Sequence, residues 1–147
     1  MKGFDYALES VLKIRMKKED DRLFDFARAK RKHDERLESL KEIEGEIGEI
    51  QESFSNTENK RIEYIKNNYF YLENLRFKKE KTKNMASEAG RACELKRQAY
   101  EKAQANRKTI ETHKEKQRDV YKMEQKRKEE RMLDEMAVTA FKRKREL

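Results

Sequence analysis

Imidazole and thiol side chains, which are common in zinc sites and in nucleophilic catalysis, are few in this sequence. They are two histidines, His33 and His113, and one cysteine, Cys93. A zinc site needs about four converging ligands of this kind, and Cys93 has no second cysteine with which to form a CxxC motif or a disulfide. The chain also lacks a glycine-rich phosphate loop and a nucleophile elbow. We therefore interpret it as a non-enzyme with no catalytic residue, cofactor or metal, whose chemistry is that of binding.

Positive charge is the most obvious binding feature. Between Arg76 and Arg118 there are 14 Lys and Arg residues and 6 Glu residues, a balance that could attract phosphate backbones, anionic lipid or an acidic protein surface. The two charge signs alternate at helical neighbour spacings, which favours a solvated, salt-bridged face. Aromatic residues for base stacking are nearly absent between Lys78 and Ala99, and no nucleic-acid-binding module is recognisable. We expect no nucleic-acid partner, and a basic nucleic-acid-binding coiled coil is a less favoured alternative.

The composition indicates which elements must position these residues. Charged residues make up 46 % and hydrophobic residues 35 % of the 147 residues, and proline is absent. This is too little apolar material for a compact core, while the lack of proline permits long helices. Two apolar series with spacings of three and four flank the polar cluster Ser53–Asn59.

The prediction is an all-α fold, an antiparallel two-helix coiled-coil hairpin with a longer second helix. Residues 1–147 would form a single coiled-coil domain, with helix 1 at about 4–54, a turn at about 55–60 and helix 2 at about 60–143. Thr57 or Asn59 could cap the second helix. Lys30 and His33 fall on seam positions, where packing should be weakest, and alanines along the second helix should let the two helices approach closely.

No apolar run is long enough to span a bilayer, so no transmembrane segment is expected. The single cysteine fits a reducing compartment. Both observations favour a cytoplasmic protein.

An apolar stripe near the C-terminus has no obvious partner. Its residues recur every three or four positions and so share one helix face: Met132, Leu133, Met136, Ala137, Ala140 and Phe141. If the helices pair from a turn near residue 57, the second overhangs the first by about thirty residues. The stripe would then be a docking surface. The alternative is that it pairs with Phe4, Leu8 and Val11 and closes the base of the hairpin.

A second apolar cluster spans Ile62–Leu75. Tyr69, Phe70, Tyr71 and Leu72 are consecutive and point around the helix, so they cannot all face one partner. They could form a small core at the tip of the hairpin, or an exposed partner-binding patch with Ile43, Ile47 and Ile50.

Three short segments resemble a known family when taken in order. They are FDYALESVLKIR at Phe4–Arg15, YLENL at Tyr71–Leu75 and EQKRKEERMLDEMA at Glu124–Ala137. They resemble the opening, middle and closing motifs of the FliJ family of flagellar export proteins. The resemblance covers the whole chain.

The resemblance implies a non-enzymatic, antiparallel two-helix coiled coil similar to the central-stalk gamma subunit of F-type ATPases. Family members are thought to sit in the pore of the hexameric flagellar export ATPase FliI, to contact the export gate protein FlhA and to handle export chaperones. The expected location is the cytoplasm, with peripheral association at the inner face of the cell membrane at the flagellar base.

The resemblance and the apolar patterns together suggest two sites. The expected export-gate patch comprises Ile43, Ile47, Ile50, Tyr69, Tyr71, Leu72 and Leu75. The expected ATPase-binding residues are Phe4, Leu8, Arg127, Arg131, Met132, Leu133, Met136, Ala140 and Phe141. The alternatives are a generic coiled-coil adaptor or an F/V-type ATPase stalk-like subunit.

Overall fold

Two helices make up the fold. A computed structural model describes residues 3–55 and 61–146, with α1 at Glu9–Ser55 and α2 at Ile62–Glu146. They form an all-α helical hairpin in which α2 is the longer helix, which confirms the predicted fold class. The predicted caps Thr57 and Asn59, and most of the predicted turn, lie outside the described residues.

Both helices run without a break in the described chain. Gly45 and Gly48 lie within α1, and nothing outside the helix backbone lies within 4 Å of the position that a Cβ would take on either. Ion pairs one turn apart support α2. Arg97 pairs with Glu94 and Glu101, and Arg107 pairs with Glu111. Each such pair stabilises the helix by only about 0.2–0.5 kcal/mol. Helix propensity and packing must therefore supply most of the stability of α2.

The chain divides into two compact units, each built from parts of both helices. The central unit is Glu19–Lys102, and the terminal unit is Met1–Lys18 with Ala103–Leu147. In the central unit four side chains form the core, at 4–8 % exposure: Ile43, Ile47, Leu72 and Leu75. Ile50 and Phe54 pack against them.

Small residues bring the helices together elsewhere in the central unit. Ala86 and Ala89 are buried. A Cβ on Gly90 would lie 3.0 Å from Nε2 of His33, so the imidazole occupies the space that the glycine leaves. Nearby the rings of Phe26 and Tyr100 stack at 6.3 Å. These contacts agree with the predicted close approach, whereas Lys30, predicted on the seam, is exposed.

In the terminal unit the chain before α1 is not helical. The sequence pattern placed the helix start near Phe4, but α1 begins at Glu9 and residues 3–6 have no regular structure. Tyr6 is buried, and the ring of Phe4 lies 5.6 Å from that of Tyr121 on α2. In a helix Phe4 and Tyr6 would lie about 200° apart, so a non-helical course is needed for both to contact α2.

Polar contacts fix this segment on α2. The Tyr6 hydroxyl oxygen lies 2.5 Å from Nδ1 of His113, and it donates to the carbonyl oxygen of Ile110 at 3.4 Å. The Arg15 guanidinium donates to the carbonyl oxygen of Asn106 at 2.7 Å. These contacts set the register of the N-terminal segment on α2.

An ion pair closes the same contact at the first residue of α1. Lys114 Nζ lies 2.7 Å from Glu9 Oε2. Hydrogen bonding and charge from Lys114 hold the pKa of the Glu9 carboxyl below its ordinary value. The carboxylate also lies in the first turn of the helix, where the helix dipole favours negative charge.

Candidate functional site

The C-terminal part of α2 carries an apolar face that no described residue covers. All side chains from 126 to 146 are exposed. The four large members of the stripe are 63–66 % exposed: Met132, Leu133, Met136 and Phe141. The expectation that this stripe lies beyond the partner helix therefore agrees with the geometry.

The stripe consists of two adjacent rows. Met132, Met136 and Ala140 follow one another at intervals of four residues, and Leu133 and Phe141 lie on the neighbouring row. A shallow groove of about 610 Å³ runs along the first row, with Thr139 and Arg143 at its side. The helix backbone is regular here, and the Thr139 hydroxyl donates to the carbonyl oxygen of Glu135 at 2.8 Å.

Positive charge borders the stripe at both ends. Arg127 and Arg131 precede it and are exposed, and in the described chain neither makes an ion pair. Arg143, Lys144 and Arg145 occupy the last turn of α2, where cations interact favourably with the helix dipole. The surface thus combines adaptable apolar side chains with free cations.

Two residues assigned to the same site, Phe4 and Leu8, lie elsewhere in the unit. Phe4 is half-buried between Tyr6 and Tyr121, with the Arg118 guanidinium 5.7 Å above its ring. Its side chain is engaged with α2, so it is not freely available as an ATPase-binding residue in this conformation. Leu8 is at the border of exposure, at 37 %. The alternative pairing of the stripe with Phe4 is also incorrect, because Phe4 contacts Tyr121.

The residues expected to bind the export gate fall into two groups. Ile43, Ile47, Leu72 and Leu75 form the core of the central unit, so their side chains cannot form a docking surface in this conformation. Ile50 is half-buried against them. These side chains are buried because the two apolar stripes face each other at these positions, which agrees with the alternative of a small core.

Tyr69 and Tyr71 are the accessible members of that group, at 54 % and 50 % exposure. The Tyr71 hydroxyl donates to Oε2 of Glu46 at 3.3 Å. The ring of Tyr69 lies edge-on to that of Phe70 at 6.3 Å. An open groove of about 540 Å³ adjoins Tyr69, with apolar walls from Phe54, Ile62 and Ile65 and two cations, Lys66 and Arg76.

Sequence reasoning did not identify Tyr6, His113 and Arg118 as one contact set. The Tyr6 ring lies 5.6 Å from that of His113, and Arg118 covers Phe4. The available signal was the alternation of Phe4 and Tyr6, which suits a non-helical segment better than a helix. His33 packs against Gly90, the exposed His113 contacts Tyr6, and Cys93 is a half-buried free thiol.

Among the described residues no group of three metal-binding side chains converges. Neither helix of the described residues has an apolar stretch long enough to cross a membrane.

Comparison with known protein families gave a match over most of the chain. A family model described as "Flagellar FliJ protein" matches residues 4–146, nearly the full length of the chain. No curated protein and no solved structure matches the chain.

Proposed function

Because the chain belongs to the FliJ family of flagellar proteins, we propose that it couples a hexameric FliI-like export ATPase to the rest of the flagellar export apparatus. Family membership itself makes it a flagellar export apparatus component of a non-enzymatic kind. The proposed contact is the end of α2, which enters the pore of the ATPase. There it orders or couples the subunits.

The exposed stripe is the observation that supports this proposal. Met132, Met136 and Phe141 are each more than 60 % exposed on the part of α2, residues 126–146, that no described residue covers. Methionine side chains are flexible and polarisable, so they adapt to subunit surfaces that differ slightly around a pore. Arg127 and Arg131 would meet acidic groups at the pore mouth and raise the association rate.

A second contact, with an FlhA-like export gate protein, involves a smaller set than the sequence suggested. Tyr69 and Tyr71 are half-exposed, and the groove beside Tyr69 offers apolar walls and two cations. Tyrosine contributes a large, rigid contact area with a polar tip, which suits a protein interface. Handling of export chaperones, and peripheral association with the inner face of the cell membrane at the flagellar base, belong to the same proposal.

The test of the ATPase contact uses the full chain with its stripe made polar. In the triple variant Met132→Gln, Met136→Gln and Phe141→Gln, helix formation is preserved because glutamine is a good helix former. We expect the affinity for the purified hexameric ATPase, measured through stimulation of ATP hydrolysis, to fall by roughly tenfold or more, since three apolar anchors are lost. The free energy of unfolding should change by less than about 0.5 kcal/mol, as for exposed sites.

The chain offers a closely matched control. Ile14, Phe24 and Leu95 are 66–67 % exposed, so their triple change to glutamine removes a similar apolar area elsewhere. It should leave stimulation intact. If both triple variants stimulate equally, the stripe is not the contact. If the stripe variant unfolds at lower temperature than the control, the stripe contributes to the fold, and the docking role is excluded.

A further inference from the structure

Four cations line one face of α1 in the central unit. Arg28, Arg31, Lys32 and Arg36 are separated by three, one and four residues, so they share a face of the helix. Together they line an open surface cavity of about 420 Å³. Within residues 3–55 and 61–146 none of the four has an ion pair or a side-chain hydrogen bond.

Three other arginines of the same unit are neutralised by a carboxylate three residues away: Arg22 by Asp25, Arg76 by Glu73 and Arg97 by Glu94. Glu35 lines the same surface, but in the described chain its carboxylate makes no ion pair with any of the four cations. The positive charge of this face is therefore left for an external anion to neutralise.

An apolar floor lies beside these cations. Between α1 and α2 a groove of about 280 Å³ is lined by Ala29, Met85, Ala89 and Ala92, and three charged residues line it as well: Lys32, Arg36 and Glu88. Ala89 is buried and Met85 half-buried, while Ala92 remains exposed. The groove is open because small side chains stand where a coiled coil would carry leucine or isoleucine. Lys32 and Arg36 belong to both cavities and so join the charged face to the apolar floor.

We propose that this surface, which we call the cationic groove, is a docking site for an acidic amphipathic helix of another protein. Arg28, Lys32 and Arg36 follow one another at four-residue intervals, about 6 Å apart along the axis. A helix lying alongside with carboxylates at the same interval would meet each of them. An apolar side chain on its inner face would enter the floor, where Met85 can adapt its shape.

The shape of the groove favours a helix over other anions. A phosphate backbone or an anionic bilayer surface would neutralise the cations but has no side chain to fill the floor. A helix supplies charge and apolar volume in one element, in the mode by which amphipathic helices bind grooves. The cationic groove shares no residue with the stripe or with the surface around Tyr69 and Tyr71. The proposal therefore does not depend on the ATPase contact or the export-gate contact.

The test measures binding of a designed probe to the full chain at physiological ionic strength. The probe is a fluorescein-labelled amphipathic peptide with Glu at every fourth position and Leu on the adjoining face. A peptide of the same composition in scrambled order, which has no amphipathic face, serves as its control. Fluorescence anisotropy gives both dissociation constants. We expect the ordered peptide to bind at least about tenfold more tightly than the scrambled one.

Two variants locate the binding. Lys32→Glu with Arg36→Glu should weaken the ordered peptide by about tenfold or more, because two attractions become repulsions. The matched control, Lys81→Glu with Lys83→Glu, changes net charge equally at exposed positions of α2 outside the groove, and should bind the peptide nearly as the native chain does. Ala92→Gln keeps the charge but fills the floor, and should weaken binding by about threefold.

Several results would overturn the proposal. Equal affinity for ordered and scrambled peptides would show that only net charge is recognised, as would equal losses in the two charge-reversal variants. Displacement of the peptide by a single-stranded oligonucleotide at equal or lower concentration would make the surface a nucleic-acid site. If Lys32→Glu with Arg36→Glu loses its helical circular dichroism, the test rests on Ala92→Gln alone. Unchanged peptide binding in Ala92→Gln would then show that the peptide does not enter the apolar floor, and the proposal would be wrong.

Discussion

Tyr71 links the two helices beside the core of the central unit. Its hydroxyl donates to Oε2 of Glu46 at 3.3 Å. The negative charge of Glu46, loss of hydration and this hydrogen bond raise the pKa of Tyr71 above its ordinary value of 10.0. The folded state thus favours the neutral phenol. The resulting stabilisation is fully present below the unfolded pKa and is lost as the pH rises through the higher folded pKa.

We predict that Glu46→Gln brings the pKa of Tyr71 back towards 10.0, because the charge that opposes the phenolate is removed. The measurement is an NMR pH titration of the tyrosine ring carbons, which separates Tyr71 from the other tyrosines. Glu49→Gln is the control, since Glu49 is exposed one turn further along α1. A Tyr71 titration that is identical in all three proteins would exclude the contact with Glu46.

Single residues were the hardest scale to predict from sequence. Leu72 and Tyr71 are adjacent, yet Leu72 is 4 % exposed and Tyr71 is 50 % exposed. A period of three and four residues marks an apolar face but does not say whether that face meets the other helix or a different protein. For Met132 the predicted register of the hairpin indicated exposure, because helix 1 was too short to reach it. Leu72 lies where the two helices overlap, so only the packing shows whether its side chain is buried or exposed.

At the scale of the helices, the glycines permit a direct test of packing. Gly45 and Gly48 have open space where a Cβ would lie, whereas Gly90 faces His33 at 3.0 Å. Glycine within a helix costs about 1 kcal/mol relative to alanine. We predict that Gly45→Ala and Gly48→Ala each raise the free energy of unfolding by about that amount, as measured by urea denaturation. Gly90→Ala should gain clearly less, because the imidazole must move.

The His33→Ala background separates propensity from contact. With the imidazole gone, Gly90→Ala should give the full gain, so the two substitutions should be non-additive. Additive effects would mean that His33 and Gly90 do not constrain each other.

The helices themselves followed from the sequence. The absence of proline and the two apolar series predicted α1 and α2, and the alanine-rich seam appears at Ala86 and Ala89. The non-helical start did not follow. Phe4, Leu8 and Leu12 fit a helical spacing, so periodicity extended the predicted helix through residues 4–8. Burial of Tyr6 against His113 outweighs that preference.

At the scale of the whole molecule, the buried residues are unequally divided. Of the nine described hydrophobic residues that are buried, three lie in the terminal unit, Tyr6, Leu12 and Ala103, and the others in the central unit. The central unit is also one continuous segment, Glu19–Lys102. We predict that this fragment alone forms a helical hairpin with a cooperative thermal transition, as measured by circular dichroism.

A fragment of equal length, Met1–Asn84, provides the comparison. It keeps all of α1 but lacks the residues of α2 that contact Phe26, His33 and Tyr6, so it should be less helical and should melt less cooperatively. Equal melting of the two fragments would show that isolated helix propensity, rather than pairing, determines the transition.

The register of the N-terminal segment has an evolutionary consequence. Tyr6 and Arg15 donate to the backbone carbonyls of Ile110 and Asn106. A backbone carbonyl remains after almost any substitution of its own residue. These two hydrogen bonds therefore depend on the side chains of the donor residues alone. Asn106 can drift to other helix-forming residues without loss of its hydrogen bond, whereas Tyr6 and Arg15 cannot change freely. In diverging lineages we expect substitutions to accumulate on the acceptor side while the two donors persist.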